Sequence, residues 1–191
     1  MHRAIDVIDN FYTQEQLDTI FDYTSKTEFS ATLQPYLQKE NYASRFQAYP
    51  CHESEMIDGD TMIFRNLHNN LTDLDYRISK INTFFRKIYK KEIEKSICVN
   101  GIGFKHKDND VKDGPQVAGL IYLDKKMSLN SGTKLYTEQD NYLQHESDIH
   151  IGSKFNRCII YNGSITHQAL YDLNIESRFI QPFFIKVNEE N

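Results

Sequence analysis

Two periodicities divide the chain. Near the N-terminus, Ala4-Ile5-Asp6-Val7-Ile8 alternates apolar and polar positions and is rich in β-branched residues, which predicts a strand. Thr13-Gln14-Glu15-Gln16 follows as a capping-box pattern, with Thr13 as N-cap, and Tyr12 and Leu17 are placed for a hydrophobic staple. Leu17, Ile20, Phe21 and Thr24 then share one helical face up to about Lys26. Ile78, Ile81, Phe85 and Ile88 recur at helical spacing and predict a second helix over 73–91. Its other face would carry Arg77, Lys80, Lys87, Lys90 and Lys91, a charge run of the kind that usually faces solvent. Between the helices, residues 27–70 mix Gln, Asn and His with aromatics, and Pro35 and Pro50 punctuate them. Short strands are expected near Ser44–Tyr49 and Thr61–Phe64.

From residue 94 the texture is β. Candidate strands are Ser96–Lys105, Gln116–Leu123, Lys134–Tyr136, Asp148–Ile151, Arg157–Asn162, Gln168–Tyr171 and Phe179–Val187. Short strands at near-regular spacing suggest a sandwich or barrel. Helices first and strands afterwards predict an α+β fold with the helices packed on one sheet. A single domain is expected over residues 1–191, with a helical and irregular part over 1–93 and a strand-rich core over about 94–187.

Composition narrows the function classes. The chain is 39% hydrophobic and 13% aromatic, enough to build a core and exclude wholesale disorder. Its net charge of −5 argues against a protein that lives by wrapping nucleic acid. No apolar run approaches the length of a membrane span, and Met1 to Asp9 carries charges where a signal peptide needs an apolar stretch. A cytoplasmic protein is therefore expected. Cys51, Cys98 and Cys158 are widely spaced, with no CxxC, so a Cys-rich zinc site is not expected. Cys98 and Cys158 sit in apolar runs and read as buried free thiols.

The seven histidines carry the candidate chemistry. His106 and Asp108 are two apart at the end of a predicted strand, so their side chains point the same way and can reach one ion. His167 follows the apolar run Cys158-Ile159-Ile160-Tyr161 across a turn at Asn162-Gly163-Ser164, and could supply a third ligand from a neighbouring strand. Two His and one carboxylate on one face of a metal leave positions open, as non-haem iron oxygenation requires. Arg178 opens the apolar strand that ends the chain. An inward-facing Arg there needs an anion, and a guanidinium fork suits a carboxylate. His145-Glu146 and His150 fall in the hydrophilic stretch 137–148 and just beyond it, and read as surface polar residues, with His150 near the mouth of any pocket.

The stretch from Gly103 to Phe184 resembles the iron- and 2-oxoglutarate-dependent dioxygenases, in their prolyl-4-hydroxylase-like branch. His106-Lys107-Asp108-Asn109, a polar loop, and Leu120-Ile121-Tyr122-Leu123-Asp124 resemble the HxDN…IYYLN stretch of that branch. Ser131-Gly132-Thr133 resembles the family's Gly-Gly turn with the second Gly replaced. Lys154-Phe155-Asn156-Arg157 resembles its approach to the distal-His strand, and Val7-Ile8-Asp9-Asn10-Phe11 its usual opening.

The resemblance implies a double-stranded β-helix (jelly-roll) core. It implies Fe(II) held by His106, Asp108 and His167, and 2-oxoglutarate gripped at its far carboxylate by Arg178 with a hydrogen bond from Tyr122. It implies a hydroxylase that uses O2 and converts 2-oxoglutarate to succinate and CO2. The expected substrate is a peptide or protein side chain, a prolyl one among them. A small metabolite or free amino acid is the alternative, and a non-catalytic jelly-roll binding module the second alternative. The loop at 109–115 and the stretch 27–70 are the expected substrate-facing parts.

Overall fold

The capping box at Thr13 forms as its pattern dictates. The Thr13 hydroxyl accepts from the Gln16 amide at 3.3 Å, and the Gln16 side chain accepts from the Thr13 amide at 3.0 Å. This satisfies two of the donors a helix start leaves open. The computed structural model describes residues 5–32, 51–93, 105–108, 116–136 and 149–187. Strand β1 (Ile5–Asp9) leads into helix α1 (Gln14–Lys26), which buries Leu17, Ile20 and Thr24. Short strands β2 (Ser30–Thr32) and β3 (Cys51–Glu53) pair antiparallel.

Helix α2 (Met62–Asp73) stands where a strand was expected near Thr61–Phe64. Thr61 is its N-cap, with the hydroxyl accepting from the Phe64 amide at 3.2 Å. Ile63, Leu67 and Leu71 recur every fourth residue and are buried, so the governing period is helical. Asp75, at φ 67, ends the helix: its amide donates to the Thr72 carbonyl and the Tyr76 amide to the Leu71 carbonyl. This is the Schellman pattern.

The helix expected over 73–91 does not form. That stretch holds β4 (Ile78–Thr83), β5 (Arg86–Tyr89) and the short helix α3 (Lys90–Ile93). The pairing keeps one register across Phe84-Phe85, from Thr83 opposite Phe183 to Arg86 opposite Ile180. Ile81 and Phe85 therefore face the helix-side core while Ile88 faces away, and the helical spacing of Ile78, Ile81, Phe85 and Ile88 does not mark one face. Both strands pair with one long partner, β11 (Ser177–Val187), β5 along its first half and β4 along its second. Tertiary pairing of β-branched residues outweighs the weak local preference. The continuous basic helix face is lost with the helix.

The remaining strands are β6 (Val117–Tyr122), β7 (Gly132–Tyr136), β8 (Ile149–Gly152), β9 (Arg157–Asn162) and β10 (Thr166–Leu170). All were expected, Arg157–Asn162 with the same ends and the others with ends shifted by at most two residues. Arg178 consequently lies inside its strand rather than before it. The strands expected at Ser44–Tyr49 and, but for Lys105, at Ser96–Lys105 lie outside the described residues, as do Cys98 and His145. Cys51 and Cys158 are buried free thiols.

Among the described residues the strands form two antiparallel sheets. The larger has the order β1-β9-β6-β11-β5-β3-β2, with β4 also on β11, and the smaller is β10-β7-β8. One core fills the space between the large sheet and the two helices, with Leu17, Ile20, Leu67, Leu71, Phe85 and Phe183 at its centre. A second core lies between the sheets and draws Leu120, Tyr122, Leu135, Ile151, Ile159 and Ile180 from both. The architecture is α+β: a jelly-roll core with the N-terminal helices packed on one sheet.

Candidate active site

The space between the sheets receives the chemically active side chains. His167 lies on β10, opposite Leu135 of β7. A backbone bridge joins His106 to His167, with N–H···O distances of 3.0 and 2.8 Å. The imidazole rings consequently sit 4.1 Å apart, centre to centre. Asp108 reaches both: its oxygens lie 3.8 Å from Nε2 of His106 and 3.5 Å from Nε2 of His167. One ligand atom from each residue falls within 4.8 Å of the others.

The tautomer of His167 follows from its neighbour. Nδ1 lies 3.1 Å from the Ile165 carbonyl, which can only accept, so Nδ1 carries the proton and Nε2 presents its lone pair. That hydrogen bond also orients the ring, as outer partners of metal-bound histidines do.

Arg178 and Tyr122 meet on the barrel face of the large sheet. Arg178 is only 6% exposed. Its guanidinium stands over two rings, 5.3 Å from the centre of Tyr122 and 5.1 Å from that of Tyr171. The Nε and Nη1 atoms are buried with no hydrogen-bond partner among the described residues. Tyr122 is fully buried, and its hydroxyl is 2.9 Å from the hydroxyl of Thr133. Burial pushes the Tyr122 phenol up, partly offset by the Arg178 charge and the Thr133 hydrogen bond, so it stays protonated and able to donate.

Thr133 and Tyr171 were not singled out by sequence reasoning. Tyr171 continues the alternation His167, Ala169, Tyr171, and that period of two was the available signal. The kept and replaced glycines of the turn also make sense. Gly132 has φ +147, and a Cβ there would run into the Ile151 carbonyl. Thr133 lies within β7, paired with Ala169 and Ile151, where no glycine is needed. His150 is exposed on β8, which agrees with the surface reading.

No family model matches the chain, and no curated protein does. Solved structures match its fold. A Trichoplax adhaerens prolyl hydroxylase, in complex with a peptide fragment of the hypoxia inducible factor oxygen degradation domain, has a TM-score of 0.64 at 16% identity. The match covers 95% of this chain and 83% of that one. A Pseudomonas putida prolyl-4-hydroxylase gives 0.58 at 10% identity, covering 97% and 93%. HygX of Streptomyces hygroscopicus, solved with nickel and 2-oxoglutarate, gives 0.59 at 11% identity, covering 94% and 81%. The fold is that of prolyl hydroxylases.

At these identities the likeness speaks for fold, and chemistry rests on the side chains. Two imidazoles and a carboxylate are a donor set suited to a divalent iron with open positions. A buried guanidinium with Nε and Nη1 unpartnered among the described residues has donors to offer an anion such as a carboxylate. A small cleft beside it is lined by Arg178, Tyr171, Ser177, Asp172, Lys90 and Lys126. The residues present fit both an iron and a dicarboxylate.

Proposed function

We propose that this protein is an Fe(II)- and 2-oxoglutarate-dependent dioxygenase that hydroxylates a C–H bond of a peptide or protein side chain. The observation that carries this reading is Arg178. A cation this buried, with two nitrogens left over, is costly unless an anion completes it. The His-Asp-His cluster borders the same inter-sheet core, with the His167 ring 4.8 Å from that of Tyr161.

His106, Asp108 and His167 would hold the iron, and Arg178 with Tyr122 the far carboxylate of 2-oxoglutarate. When bound, this pair supplies the oxidising chemistry, with O2, and releases succinate and CO2. The protein's contribution is orientation. The Ile165 carbonyl fixes the His167 ring. The rings of Tyr122 and Tyr171 fix the Arg178 plane. Leu120, Leu135, Ile151 and Ile180 line the space with apolar surface and exclude water.

The Trichoplax neighbour's complex with a peptide supports the peptidyl reading, and prolyl peptides are the first substrates to try. A small-metabolite substrate is the second reading, supported by HygX, which has also been solved with hygromycin B bound. Anaerobic titration of Fe(II) with 2-oxoglutarate present is expected to give a visible charge-transfer band that His167→Ala lacks. No band from the folded wild-type protein would remove the oxygenase reading and leave a jelly-roll binding module.

A further inference from the structure

Resting on that reading, we propose that Thr133 is a positioning residue for the cosubstrate. Its hydroxyl donates to the Tyr122 oxygen and commits the Tyr122 proton to the same carboxylate that Arg178 grips. The proposal stands on three observations. The two hydroxyls are 2.9 Å apart and buried, with Tyr122 fully so and Thr133 2% exposed. Thr133 is opposite Ala169 on β7, one inward-facing position beyond Leu135, the partner of His167. At the rise of a strand this places it about 7 Å along from the metal-binding row, toward the far end of a short dicarboxylate. The Arg178 guanidinium stands over the ring of the same Tyr122.

Proton counting sets the direction. A carboxylate only accepts, and Arg178 only donates. Tyr122 has one proton, and a carboxylate beside Arg178 claims it. The Thr133 hydroxyl must then turn its own proton to the Tyr122 oxygen, giving a chain from Thr133 through Tyr122 to the carboxylate. Such chains strengthen one another in a low-dielectric site. Thr133 stands where the pattern this stretch resembles carries a glycine, which has no hydroxyl to offer.

The test is calorimetric binding to the metal-loaded protein under anaerobic conditions, using 2-oxoglutarate and pyruvate. Pyruvate keeps the metal-binding end and lacks the far carboxylate. Thr133→Val, which preserves shape, is expected to weaken 2-oxoglutarate about fivefold and leave pyruvate unchanged. Thr133→Ser is expected to restore wild-type affinity. In Tyr122→Phe, the change at 133 is expected to add nothing further, because the two act as one unit. Unchanged 2-oxoglutarate affinity in Thr133→Val overturns the relay while the oxygenase reading stands. Equal weakening of pyruvate also overturns it, since the effect would then lie at the metal end. Failure of the wild-type protein to bind 2-oxoglutarate overturns both.

Discussion

Strand β11 sends Gln181 to the helix side of the large sheet and Arg178 to the barrel side. Both are buried, Gln181 at 0% and Arg178 at 6% exposure. On the helix side every link closes. The Tyr12 hydroxyl donates to Gln181 Oε1 at 3.0 Å, Gln181 Nε2 donates to the Thr83 hydroxyl at 3.2 Å, and Thr83 donates to the Pro182 carbonyl at 2.8 Å. On the barrel side the guanidinium keeps two nitrogens without partners among the described residues. Polar groups buried in one strand are thus complete in themselves on one face and, on the other, leave donors that our proposal gives to an anion. The first arrangement holds helix α1 to the sheet, and the second is where we propose that the cosubstrate carboxylate binds.

The largest test of that contrast is Arg178→Met. Removing a forked, charge-assisted contact is expected to weaken 2-oxoglutarate binding roughly a hundredfold, about 3 kcal/mol. The same change is expected to stabilise the ligand-free protein by about 1–2 kcal/mol, because a buried charge with two nitrogens unpartnered among the described residues is replaced by an apolar side chain of similar length. Calorimetry reads the first effect and urea denaturation of the metal-free protein the second. A destabilised ligand-free variant would mean that Arg178 serves the fold, as Gln181 does, and the contrast would fail.

The helix side predicts the opposite pairing of effects. Tyr12→Phe leaves Gln181 Oε1 buried without its donor, which is expected to cost about 1–2 kcal/mol of stability. Its effect on 2-oxoglutarate binding is expected to be nil, since the chain it breaks faces away from the barrel. Urea denaturation and calorimetry on this variant, beside Arg178→Met, make the comparison complete.

The same two faces explain what was legible in the sequence. Local signals sufficed where one residue type does one job: the Thr13 capping box, the strand at Arg157–Asn162, and the period-two pairing that points His106 and Asp108 one way. The helix expected over 73–91 failed because Ile78, Ile81, Phe85 and Ile88 imitate helical spacing while lying on both faces of strands paired with β11, a long-range pairing that no local pattern records. Thr133 was passed over for a related reason. Its role depends on a contact across the two sheets, and nothing in Ser131-Gly132-Thr133 records that Tyr122 lies opposite.

The smallest expected effect comes from charges left in water. Asp9 ends β1 opposite Arg157 of β9, and its oxygens lie 2.6 Å from Arg157 Nε and 2.7 Å from Lys154 Nζ. The Arg157 and Lys154 hydrogen bonds hold its carboxyl well below the usual range. A depressed folded value contributes stability that is fully present above the unfolded carboxylate pKa, about 4, and is lost as pH falls through the folded value. The Asp9 side chain is 36% exposed, so solvent screens the pair and the contribution is expected to be only about 0.5 kcal/mol at neutral pH. Asp9→Asn should therefore lose little at pH 7, and its deficit against wild type should shrink below pH 4 and in high salt. Denaturation curves across that pH range check the sign. A loss as large as that of Tyr12→Phe, insensitive to salt, would show that the rim of the sheet holds its charges as tightly as the helix side holds Gln181. Burial would then not be what separates structural polar groups from the one that awaits a ligand.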